Sequence, residues 1–157
     1  MTLLIVYLVI AIGVSFLCSI LEAVLLSMTP TFVERLAQDR PRAGAVVQKV
    51  RKRMDESLAS ILILNTFAHT MGAAGVGAQA LNVFGPEMET LVAVLLTLAI
   101  LYFSEIIPKT VGAMYWRGLA IPAAHAIVWL VRLTYPLVWV STLSLIHISE
   151  PTRPVMS

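Results

Sequence analysis

Three short stretches place oxygen-bearing side chains within otherwise apolar surroundings. In the first, Ser15, Ser19 and Glu22 fall at i, i+4 and i+7, a spacing that sets all three on one face of a helix. In the second, Asn65 and His69 are four residues apart, with Gly72 next on that face. In the third, "YFSEIIPKT", Ser104 and Glu105 precede Pro108 and Lys109. Pro108 has no amide hydrogen, so the carbonyl of Ser104 loses its usual helical partner and lies free beside the Glu105 carboxylate. Hydroxyl, amide oxygen, carbonyl and carboxylate are hard ligands, suited to Mg²⁺ or Ca²⁺ over zinc or copper. His69 and Cys18 add softer atoms without any spaced metal motif. Each residue also has a structural reading. Glu22 pairs with a cation near the membrane boundary, Asn65 glues helices together, the serines bond their own helix carbonyls, and Pro108 ends a helix while Lys109 reaches for headgroups.

These residues must be positioned by membrane helices. Of 157 residues, 59% are hydrophobic and 13% charged, which leaves too little polar surface to cover a water-soluble globule of this size. Spanning takes roughly 20 apolar residues, and three runs supply them at about 3–28, 58–84 and 90–107. Counted from their shared boundary, the candidate ligands lie about one to two helical turns inside the membrane. The sequence thus predicts an all-α membrane protein in which three helices bring polar groups to one depth. A fourth apolar stretch, 119–142 and just beyond, is broken by Pro122, Arg132 and Pro136 and carries Trp129, Tyr135 and Trp139. It reads either as another crossing or as a helix lying at the interface.

Charge sets the orientation. The segment 29–56 holds seven Lys/Arg, which puts it in the cytoplasm by the positive-inside rule. "VFGPEMET" has two glutamates and no cation and falls outside; the first apolar run is too long for a cleaved signal and reads as a retained span. The cytoplasmic segment reads as a helical hairpin, with Thr29 as N-cap, Pro30 in the first turn and "DRPRAG" as the break. Its basic second helix is expected to meet anionic lipid headgroups. Nothing points to nucleic acid. The lone Cys18 excludes a disulfide framework, and Ala73 with Gly77 and Ala74 with Ala78 supply small-residue packing. Residues 143–157 change composition abruptly and resemble a translated sequencing adapter; they are expected to be a non-native tail.

With these motifs in place, the chain resembles the transmembrane domain of the CorC/CNNM magnesium-transporter family. "SEIIPKT" (104–110) is similar to its Gly-Glu-Ile/Leu-Ile/Leu-Pro-Lys element, "ILNTFAH" (63–69) to its Gly-Asn-Thr element, and "CSILEAVLLS" (18–27) to its Ser-Gly-Ser-Glu-Thr-Ala region. The resemblance covers residues 1–142. It implies a homodimer of three-span subunits in the cell (inner or plasma) membrane, with the N-terminus outside, a cytoplasmic C-terminus and a juxtamembrane belt helix over 119–142 in place of a fourth crossing. It also implies efflux of Mg²⁺ coupled to Na⁺, with Ser19, Asn65 and Glu105 as ligands, and Glu22 and Ser104 in support. Three positions depart from the family pattern: His69 replaces a second asparagine, Leu64 the glycine before Asn-Thr, and Ser104 the glycine before the glutamate. His69 introduces a group able to respond to pH. The regulatory CBS pair that normally follows is absent from the sequence. The alternative from another class is a membrane anchor and dimerisation module for a cytoplasmic domain. An enzyme is not expected, because a Ser19/His69 pair lacks any nucleophile-elbow context.

Overall fold

A stripe of small residues on the first helix decides how the bundle packs. The computed structural model describes the backbone of residues 1–149; residues 150–157, the remainder of the expected non-native tail, lie outside the described residues. Helix α1 (Thr2–Ser27) buries Ala11, Ser15, Ser19 and Ala23 at four-residue intervals, while Leu3, Ile5, Val9, Leu17 and Leu26 on its other faces are exposed. Lipid tails are as apolar as leucine, so helices in a membrane associate by close van der Waals contact, which small residues permit. Helix α4 (Met54–Phe84) presses Gly72 onto Ala11 so closely that a Cβ there would overlap the alanine methyl. Further along, a Cβ on Gly112 would sit 2.9 Å from Ala23 Cβ and 3.0 Å from the Ile20 carbonyl.

Between α1 and α4 lie two short helices that fold back on each other as a hairpin. Helix α2 (Pro30–Asp39) begins with the Thr29 hydroxyl accepting from the Phe32 amide at 3.4 Å, and Pro30 occupies the first turn. Helix α3 (Pro41–Lys52) folds back so tightly that Gly44 has no room for a side chain beside the Ala37 backbone. After α4, the chain turns at Gly85, where φ is +80°, a conformation that glycine adopts without strain. A 3₁₀ turn (Pro86–Met88), helix α5 (Glu89–Ala99), a π-helical segment (Ile100–Ile106) and helix α6 (Ile107–Ser149) follow. No strand occurs among the described residues.

Three runs are long and apolar enough to cross a membrane, Thr2–Ser27, Met54–Phe84 and Pro86–Val140, so this is a multi-pass membrane protein. The 55 residues of the third run would reach ~80 Å at ~1.5 Å per residue, far beyond a hydrocarbon core of ~30 Å. Helix α5 and the π-helical segment are together about long enough for the crossing. The rest of α6 has another task. Its Ala120, Ala124, Ile127, Thr134 and Val138 are buried along one stripe. Ala120, Ala124 and Ile127 join a cluster with Met28, Val33, Val47 and Val50, while Trp129, Leu133, Tyr135 and Trp139 are exposed. The fourth apolar stretch therefore packs on the hairpin end of the bundle. Phe32 of α2 meets Trp116 of α6 edge-on, with ring centroids 4.9 Å apart.

One expectation needs correcting. Proline alone suggests a helix end at Pro108, yet helix continues through it. The π-helical segment ends one ladder, and Pro108 falls in the first turn of the next, where an amide hydrogen would have no intrahelical acceptor.

Candidate functional site

The π-helical segment sets the geometry of Ser104. Here the Ile107 amide donates to the Tyr102 carbonyl, five residues back, and Pro108 donates to nothing. The Ser104 carbonyl, expected to be free, accepts instead from the Ser19 hydroxyl of α1 at 2.5 Å. Both serines are fully buried. The hydroxyl of Ser104 is buried too, and it has no hydrogen-bond partner. Such an orphan is uncommon in a folded protein.

One turn along α1, away from the hairpin, Ser15 donates to Asn65 Oδ1 at 2.5 Å and also contacts His69 Nε2. The i, i+4 pair on α4 thus meets α1 as a unit, with Asn65 only 8% exposed. Ser15 shares the spacing of Ser19, but serine in a helix commonly bonds its own backbone, so sequence alone assigns it no ligand role. Towards the hairpin end, Glu22 and Glu105 both face the Lys109 ammonium, at 3.3 and 3.7 Å. Sequence reasoning gave Lys109 only a boundary role. Its position four residues after Glu105 was the available signal.

All five expected site residues therefore lie on or against one face of α1. They are arranged along it: Ser15 with Asn65 and His69, then Ser19 with Ser104, then Glu22 and Glu105 about Lys109. From Ser15 to Glu22 is ~10 Å of helix. Ser19, Asn65 and Glu105, expected as one ligand set, each have a different partner. Among the described residues no three His, Cys, Asp or Glu side chains converge to hold a metal. A cation here must rely on neutral oxygens as well as carboxylates. Two carboxylates about one ammonium leave a formal charge of −1.

Comparison with known proteins places this architecture. The family model of the cyclin M transmembrane N-terminal domain matches residues 6–154. The UPF0053 protein sll1254 of Synechocystis is 32% identical over 123 residues, 78% of this chain and 36% of that protein. A UPF0053 protein of Haemophilus influenzae is 30% identical over 118 residues, 75% of this chain and 28% of the relative. The UPF0053 inner membrane protein YfjD of Escherichia coli is 26% identical over 107 residues, 68% of this chain and 25% of the relative. The chain thus spans between a quarter and just over a third of the length of these relatives.

Proposed function

The chain belongs to the family of the cyclin M transmembrane N-terminal domain, and we propose that it carries Mg²⁺ across the membrane along the polar face of α1, as Na⁺-coupled efflux. One observation carries this reading: the Ser104 carbonyl, which has no amide hydrogen at Pro108 to accept from, accepts from the Ser19 hydroxyl, and the Ser104 hydroxyl is buried and unpaired. Within lipid, irregular backbone is tolerated where it is enclosed by protein or lines a polar path. The Ser104 carbonyl and the Ser19 hydroxyl make part of an oxygen shell, the unpaired Ser104 hydroxyl is a further donor atom on the same residue, and Glu105, the next residue, brings charge. Ser19, Asn65 and Glu105 are the principal ligands, the Ser104 carbonyl completes their set, and Glu22 is the second carboxylate.

Mg²⁺ requires near-octahedral oxygen coordination and gives up water reluctantly. Carboxylate charge offsets part of that cost. In the arrangement described, Lys109 provides the positive charge between Glu22 and Glu105, so entry of the ion means displacing one ammonium. Moving deeper along α1 requires the Ser15–Asn65 bond to open and expose the amide oxygen. The hairpin faces the cytoplasm in this reading, and two copies pair in the membrane. The test is Mg²⁺ flux into proteoliposomes holding the purified chain. Glu105→Gln and Asn65→Ala should each reduce flux at least tenfold. Flux at the unmutated rate in both variants would sink the proposal.

A second reading has its own support: the Ser15–Asn65–His69 and Glu22–Lys109–Glu105 groups satisfy one another without an ion, as helix glue would. The chain is then an anchor and dimerisation module. Thermal stabilisation by Mg²⁺ that disappears in Glu105→Gln favours transport. A loss of assembly in that variant, with no Mg²⁺ effect on either protein, favours the anchor.

A further inference from the structure

A recess at the junction of α3, α4 and α6 has no part in the cation path. Its volume is about 270 Å³, and it is lined by Lys49 of α3, Arg53 at the start of α4 and Arg132 of α6. We propose that it binds the phosphate headgroup of an anionic phospholipid.

Charge is the first reason. The carboxylate in the lining is Glu56, and Arg53 engages it at 3.3 Å. Lys49 and Arg132 have no carboxylate within ion-pair distance among the described residues, which leaves the recess with two uncompensated cations. Arg132 is the more telling. It stands in an otherwise apolar stretch of α6, facing the basic hairpin helix and no carboxylate partner. A phosphate oxygen supplies that partner, and the guanidinium fork matches phosphate geometry with two parallel bonds.

Shape and setting are the second reason. Val128 and Val131 form an apolar wall beside the cations, as a glycerol and the first methylenes of a lipid require and a free anion does not. Tyr135, which lines the recess, is exposed, as is Trp129 nearby on α6, and both are amphipathic rings of the kind that settle at headgroup level. The recess is smaller than the roughly 300 to 1,000 Å³ of sites for drug-sized ligands, so it fits a headgroup fragment better than a nucleotide. Basic pockets between helices at a membrane surface hold lipid phosphates in this way. A bound lipid would tie the hairpin to α6, which carries Lys109 near its start.

The test follows thermal unfolding of the purified chain in nanodiscs of phosphatidylcholine, with and without one fifth phosphatidylglycerol. The anionic lipid should raise the melting temperature. Arg132→Gln and Lys49→Gln should each lose at least half of that rise, while keeping the melting temperature of the unmutated chain in phosphatidylcholine alone. Arg42→Gln, on the hairpin but outside the recess, should keep it all. No rise in the unmutated chain overturns the proposal, as does an equal loss in Arg42→Gln, which would mean diffuse attraction. Millimolar inorganic phosphate should give no comparable rise in phosphatidylcholine discs; reproduction of the full effect would overturn a lipid as the occupant. None of these outcomes depends on Mg²⁺ transport.

Discussion

Lys109 places one ammonium against two carboxylates that would otherwise repel each other, and all three side chains are between 30% and 41% exposed. Ion pairs this accessible contribute about 0 to 1 kcal/mol, so Lys109→Met should lower stability by less than ~1 kcal/mol while leaving Glu22 and Glu105 uncompensated. The expected outcome is a several-fold lower Mg²⁺ concentration for half-maximal thermal stabilisation; an unchanged midpoint would detach these carboxylates from ion binding. Ser19 is the opposite case. Removing its hydroxyl leaves the Ser104 carbonyl buried without a partner, a loss of about 1 to 3 kcal/mol, measurable as a lower melting temperature in Ser19→Ala. The freed carbonyl was legible in the sequence, since Pro108 follows Ser104 by four residues. Its partner was not, because helix spacing places Ser15 and Ser19 on one face without saying which neighbour each meets. The Ser15 contacts and the bridging role of Lys109 likewise arise only once α1, α4 and the π-helical segment are packed together.

At the scale of elements, glycines decide the separation of the helices. Gly72 meets Ala11, and any Cβ there must push α4 away from α1. Overpacking of this kind costs typically 1 to 3 kcal/mol, so Gly72→Val should lower the melting temperature clearly, and should also weaken the Ser15–Asn65 bond two turns away. Gly77 has nothing within 4 Å, and Gly77→Ala should be neutral or slightly stabilising, since alanine favours helix. A comparable fall in both variants would mean that contact with α1 does not govern the effect, because helix propensity alone favours the alanine at position 77. Apolar runs foretold the elements well: expected spans at 3–28 and 58–84 correspond to Thr2–Ser27 and Met54–Phe84. The cap at Thr29 and the break before Pro41 are local chemistry and were also readable. Passage through Pro108 was not, because a π-helical turn depends on which neighbour receives the displaced carbonyl. Sequence periodicity does not contain that neighbour.

At the scale of the molecule, charge and shape make a joint claim about direction. The segment from Thr29 to Glu56 carries seven Lys/Arg, and it folds into the hairpin on which the second half of α6 rests. The Gly85 turn at the far end of α4 is followed by Glu87 and Glu89. Inserting the bundle with the hairpin outside would require that whole basic unit to translocate, against the bias that fixes orientation. Glu22, Glu105 and Lys109 lie nearer the hairpin end of their helices, so under the proposed function the orientation also decides which compartment supplies the cation. The prediction can be read from single cysteines, because the native Cys18 is buried, at 2% exposure, and gives little background. In intact cells Glu87→Cys should react with a membrane-impermeant maleimide, whereas Lys52→Cys should react only after permeabilisation. The reverse pattern would put the mouth formed by the two carboxylates on the outer surface, and efflux from the cytoplasm would then have to begin at the Ser15–Asn65 end, where no carboxylate lies among the residues in contact.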